Sequence, residues 1–157
     1  MNIPNGAFTL SISARSGQSM TQYLRKYLRK AHGIMRSPLA ELSVALVGDA
    51  TMSALHERHM GIPGPTDVLT FELDRDDQGR VTSGEVVVCV PQARRQAKGP
   101  LREEVLLCAL HGMLHLNGLD DRTPRQFDDM HKQEDMILTR LGIGRVFSPD
   151  KTAGDRR

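Results

Sequence analysis

The sequence predicts an α+β fold: a small four-stranded sheet with about five helices packed on it. Apolar and polar residues alternate with period two in short stretches ahead of Pro91. Beyond Pro91 the apolar residues recur at spacings of three and four instead. Strand signals therefore come early and helix signals late, which suits helices laid on one sheet. No internal repeat exceeds the YLRK doublet at 23–30. At 157 residues a single domain is expected, placed at 1–147, with 148–157 a disordered tail.

The elements follow in order. Phe8, Leu10, Ile12 and Ala14 alternate with Thr9, Ser11 and Ser13, a half-buried strand. Gln18 to His32 reads as a helix whose apolar stripe is Met20, Leu24, Tyr27, Leu28 and Ala31. It stacks Arg25 over Arg29 and Lys26 over Lys30, either a solvated face or an RNA-contacting patch. Glu41 to Val47 is the second strand, and Asp49 is placed to N-cap a short helix, Ala50 to His59. A loop rich in Gly and Pro, 61–65, leads to a third strand, Asp67 to Leu73. The polar stretch Asp74 to Ser83 is a hairpin connection. Glu85 to Val90 is a fourth strand, apolar enough to be buried on both faces. Pro91 suits the first turn of a helix, Gln92 to Lys98, which Gly99-Pro100 ends. A helix at Leu101 to Leu116 follows, with Leu107, Leu110 and Leu114 on its packing face. Thr123-Pro124 supplies an N-cap and a proline at the first helical position for a last helix ending near Leu141.

Composition narrows the class. Hydrophobic content of 39% and charged content of 25% suit a water-soluble domain. Aromatics are scarce at 4%, so the core is aliphatic with methionine as filler. A net charge of +2 does not by itself imply nucleic acid. Cys89 and Cys108 lie inside apolar runs and form no CxxC pair, so buried, reduced thiols are expected. No apolar stretch reaches membrane-span length, and the start of the chain lacks a charged-then-apolar leader; a cytoplasmic location is expected.

Chemistry concentrates in the helix at 101–116. His111 and His115 are four residues apart, so their side chains share one helical face about 6 Å apart. Asn117-Gly118 stops the helix and lets the chain turn back, bringing Asp120-Asp121 towards the imidazoles. Two histidines and a carboxylate make a three-ligand site with an open fourth position, the arrangement of catalytic zinc. Zinc proteases place a glutamate directly after the first histidine as general base. Gly112 stands there, so a protease lacks its base and nuclease chemistry ranks above it. Gly112 itself implies close packing or ligand approach.

The motif HGMLHLNGLDD at 111–121 resembles the HGxLHLxGYDH element of the YbeY family, bacterial metal-dependent endoribonucleases that mature ribosomal RNA. Pro65 to Phe71, PTDVLTF, is similar to that family's PTDVLSF segment. Gly84 to Val88 resembles its GDIxI strand, and Met130 to Leu141 its closing helix. The resemblance spans about Thr51 to Gly142. It implies a mixed sheet with the metal helix at its centre. It also implies a zinc-dependent, single-strand-directed endoribonuclease acting with the small ribosomal subunit in ribosomal RNA maturation and ribosome quality control. Asp121 falls where the family carries a third histidine, so the implied ligands are His111, His115 and Asp121, with Asp120 orienting one of them. The oxygen ligand makes the site more tolerant of manganese or magnesium beside zinc. The family's catalytic arginine aligns with Met60; Arg58 lies two positions out of register. Arg58 and His59 are the catalytic candidates of that segment.

Arg94, Arg95, Lys98 and Arg102 flank the metal helix and are the expected phosphate contacts, an ordinary solvated surface being the alternative. With so few aromatics, recognition by shape and phosphate is favoured over base stacking. Two other classes stay open: a non-enzymatic ribosome-assembly factor with a structural metal, and a metal-dependent hydrolase of another substrate.

Overall fold

The computed structural model describes residues 8–146. The expected tail lies outside them, as does Phe147 at the end of the expected domain. Four strands form one mixed sheet in the order β1-β2-β4-β3. β1 (Thr9–Ala14) runs parallel to β2 (Glu41–Val47), and β2 runs parallel to β4 (Val81–Cys89). β3 (Val68–Arg75) is antiparallel to β4 and forms the far edge. The helices are α1 (Thr21–Met35), α2 (Asp49–Met60), α3 (Val90–Gln96), α4 (Leu101–Leu116) and α5 (Pro124–Arg140). The α+β class, four strands and five helices agree with the sequence reading.

β4 lies inside the sheet and is apolar on both faces, as its composition requires. Val86 and Val88 join the main core with α1, α4 and α5. Val87 and Cys89 face the other way, onto Val47 and Met52 beneath α2. α4 crosses the first of these faces and is buried almost all round, so it reads as a core helix rather than an amphipathic one. Leu107, Leu110 and Leu114 are all buried; each such leucine contributes about 2 kcal/mol. Gly112 is a point of close approach. A Cβ there would lie 2.7 Å from a Val86 methyl and 3.1 Å from the Thr70 hydroxyl, so of the two expectations for this glycine it is close packing that the fold uses.

Several local expectations are corrected. Gly48, not Asp49, caps α2; Asp49 is the first helical residue, and its carboxylate is drawn to Arg95 of α3 at 2.7 Å. The hairpin strands are longer than their polarity suggested, because Asp76 closes the turn alone by accepting from the Gln78 and Arg80 amides, both at 2.9 Å. α1 begins one turn late, after a 3-10 turn at Gln18–Met20, and runs on to Met35. Arg25 and Arg29 are neither a freely solvated face nor a free basic patch. They donate to the Leu10 and Phe8 carbonyls, covering the outer edge of β1. Both cysteines are buried and neither is joined in a disulfide, as expected. No helix among the described residues is long and apolar enough to cross a membrane.

Candidate metal centre

α4 and the turn that ends it build the site. Asn117 closes the helix and Gly118 takes φ +104°, a conformation glycine adopts without steric cost. The Gly118 amide donates to His115 O at 2.9 Å and the Leu119 amide to Leu114 O at 3.0 Å. The chain then doubles back, and Asp121 returns over the last turns of α4.

His111 Nε2 lies 3.1 Å from His115 Nε2 and 3.1 Å from Asp121 Oδ2; His115 Nε2 is 3.6 Å from the same oxygen. Ligands about 2.0–2.2 Å from a tetrahedral ion stand roughly 3.3–3.5 Å apart. The three atoms therefore already have the spacing of three corners of a zinc-type tetrahedron. Among the described residues they are the group of donors able to hold a metal ion. The far sides of the rings are fixed as well. His115 Nδ1 donates to Leu119 O at 3.0 Å, leaving its Nε2 lone pair for a metal. His111 Nδ1 donates to Glu134 Oε2 at 2.6 Å. The residues present fit a divalent metal.

Like His131, Glu134 is a site residue that the sequence reading missed. It comes from α5 and is fully buried, and its second oxygen accepts from His131 Nδ1 at 2.5 Å. Its one sequence signal is its place on the apolar stripe of α5, four residues after Met130 and three before Ile137. The helix is anchored at its start by a capping box, with Thr123 and Gln126 exchanging side-chain to backbone hydrogen bonds at 3.1 Å.

Electrostatics follow from this convergence. Burial alone lowers the pKa of His111, but its hydrogen bonds to Asp121 and Glu134 and their charges outweigh it and push the pKa up to about 10. The His111 hydrogen bond holds Asp121 below the usual carboxylate range. Burial works to raise Glu134, yet the two imidazole N–H groups hold it low. Without metal, then, His111 carries a proton on each nitrogen between two carboxylates. A metal ion bound there would take the place of the Nε2 proton.

A cleft of about 420 Å³ opens beside the triad, and His111, Asp121, Phe127, His131 and Glu134 line it. Asp67 and Glu104 line it too, bridged by the Gln96 amide, which donates to Asp67 Oδ2 at 3.1 Å and Glu104 Oε2 at 3.4 Å. No lysine or arginine lines this cleft among the described residues. Asp120 accepts the Asp121 amide at 2.8 Å and pairs with Arg122 at 2.5 Å, so its hydrogen bond to the site is through the Asp121 backbone.

Other candidates stand farther off. Arg58, His59 and Met60 end α2 and are exposed. The His59 ring meets Phe71 edge-on at 4.9 Å, and neither Arg58 nor His59 lines the cleft. Arg95 is paired with Asp49, and Lys98 is exposed after α3. Arg94 and Arg102 line a separate groove with Tyr23, and the Arg102 guanidinium lies 5.4 Å from the centre of the Tyr23 ring.

Comparison with known proteins agrees with this architecture. The sequence model of a family described as Endoribonuclease YbeY matches residues 3–142. A protein named Endoribonuclease YbeY from Kineococcus radiotolerans is 41% identical over 131 residues, 76% of each chain. Its namesake from Beutenbergia cavernae is 42% identical over 118 residues, 69% of this chain and 79% of the relative. The one from Frankia alni is 43% identical over 116 residues, 65% of this chain and 64% of the relative. The solution structure of TM1509 from Thermotoga maritima has the same fold, with a TM-score of 0.56 and 24% identity over 85% of this chain and 92% of that one. With a matching family model over nearly the whole described chain, and relatives about two fifths identical to it over the aligned regions, the protein belongs to the YbeY family of endoribonucleases.

Proposed function

We propose that this family member cleaves RNA phosphodiester bonds at a centre held by His111, His115 and Asp121, with zinc as its metal. Its proposed substrate is ribosomal RNA, at or near the small subunit in the cytoplasm. The observation that carries the reading is the mutual spacing of the three donor atoms, 3.1, 3.1 and 3.6 Å, which would suit three ligands of a tetrahedral ion. A divalent ion there supplies Lewis-acid activation of the phosphodiester and of the attacking group. The chain's own residues do the rest. Glu134 and the Leu119 carbonyl hold the two imidazoles with Nδ1 protonated, so that each Nε2 faces the site. Asp120 holds the Asp121 backbone, which steadies the third ligand.

The carboxylate ligand lowers the net charge of a divalent centre from +2 to +1 and adds a hard oxygen, which widens the tolerated metals to manganese and magnesium. With no lysine or arginine lining the cleft among the described residues, further phosphate contacts are proposed outside it. Arg94, Lys98 and Arg102 are the proposed backbone contacts, with Arg95 partly engaged by Asp49. Arg58 and His59, outside the cleft, are assigned to the RNA strand rather than to proton transfer. A second reading, an assembly factor with a structural metal, draws on the same lack of lysine and arginine in the cleft lining. Metal analysis together with cleavage of precursor ribosomal RNA tests both. Zinc bound with specific cleavage supports the nuclease, zinc without cleavage of any RNA the assembly factor, and absence of metal overturns the site.

A further inference from the structure

The cleft holds a histidine outside the ligand group, and its position points to a task. We propose that His131 is a positioning residue of the metal centre, acting through Glu134 to fix the ring of His111. The proposal rests on the reading of His111 as a metal ligand.

Glu134 is buried completely, and each of its oxygens has an imidazole donor, His111 Nδ1 at 2.6 Å and His131 Nδ1 at 2.5 Å. A carboxylate's terminal torsion is broad when nothing holds it. Gripped at both oxygens, it cannot turn. The direction of Oε2, and so the plane in which His111 presents Nε2, depends on the grip at Oε1. His131 supplies that grip from one turn earlier on the same helix. His131 is itself fixed. Its ring lies edge-on to Phe127, with centroids 4.4 Å apart, and nearly parallel to His111 at 6.2 Å. It is only 9% exposed.

An ionised carboxylate only accepts hydrogen bonds. Both rings must therefore present a protonated Nδ1 to it, which leaves His111 Nε2 for the metal. His131 is absent from the group whose donor atoms converge. Its influence on the metal therefore runs through Glu134 and not through a fourth bond.

The test uses the full chain, stripped with a chelator and reloaded. Zinc affinity is read by competition with a chromophoric chelator, and ligand geometry by the visible spectrum of the cobalt(II) form. His131→Phe keeps a ring against Phe127 but removes the N–H. It should weaken zinc binding about tenfold, the lower end of what loss of an outer-sphere partner costs, and shift the cobalt bands. His131→Gln, which retains an N–H donor, should recover most of the affinity and the wild-type spectrum. A Phe variant with wild-type affinity and spectrum overturns the proposal, as does a Gln variant that loses as much as Phe. Nitrogen NMR of the zinc-loaded wild type gives a variant-free check: a proton must be found on His131 Nδ1, and its absence overturns the proposal. A wild type that binds neither zinc nor cobalt would remove the metal reading along with it. A wild type that binds both, with an indistinguishable Phe variant, would remove this proposal alone.

Discussion

Stripped of metal, the protein should lose stability as pH rises from about 6.5 towards 10. His111 in the folded chain keeps its proton up to a pKa of about 10, against 6.5 when unfolded. Between those values the native state binds one more proton than the unfolded state, so the free energy of unfolding falls by about 1.4 kcal/mol per pH unit. Below 6.5 the full contribution is present, and above 10 it is gone. The whole interval corresponds to about 5 kcal/mol, and at 19% side-chain exposure solvent screens little of it. Asp121 and Glu134, both held low, act in the opposite window: their contribution is present at neutral pH and is lost as pH falls through their depressed pKa values. Urea unfolding of the chelator-treated protein at pH 6, 7, 8 and 9 reads the slope directly. Asp121→Asn, which removes one of the two charges acting on His111, should flatten it. Because metal must displace the Nε2 proton, the apparent zinc affinity should rise about tenfold per pH unit over the same interval from His111 alone. A metal-free stability that does not change between pH 7 and 9 would refute the assignment of His111 as an imidazolium held between two carboxylates.

Other outcomes follow from the same geometry. Asp121→Ala should lose the metal in elemental analysis, whereas Asp121→His should keep zinc and move the pH–activity profile to lower pH, since removing a carboxylate raises the charge of the centre. Asp120→Ala should retain metal at reduced affinity, because its carboxylate holds the Asp121 amide rather than an imidazole. Gly112→Ala should destabilise the fold by about 1–3 kcal/mol in denaturant unfolding, although alanine is the better helix former, because the new methyl would lie 2.7 Å from Val86 on the sheet. Arg94→Glu combined with Arg102→Glu should weaken RNA binding and lower the slope of affinity against salt, leaving metal content unchanged; an unchanged slope would place the phosphate contacts elsewhere.

What could be read from the sequence was what a single element carries. The pairing of His111 with His115 follows from one helical period, and the stop at Gly118 and the cap at Thr123 are equally local. β4 was legible as a doubly buried strand because its composition alone demands it, although its start at Val81–Gly84, with Thr82 and Ser83, hid three further pairs with β3. The errors lie where a side chain finds a partner in another element. Asp49 has the chemistry of a cap, but Arg95, 46 residues away, takes its carboxylate. Arg25 and Arg29 have the pattern of a solvated face, but the open edge of β1 lies within their reach. Glu134 was hidden for the same reason. Nothing within HKQED marks one acid as buried except its phase on the stripe, and its partner His111 is 23 residues back on another helix. Two histidines four apart in an apolar helix are as compatible with a packed core as with a metal. The difference is made by Asp121, ten residues on from His111, and by Glu134 behind it. The first brings a third donor to the open side of the rings. The second fixes the proton on the closed side of His111, and only the folded chain brings the two to the same imidazole.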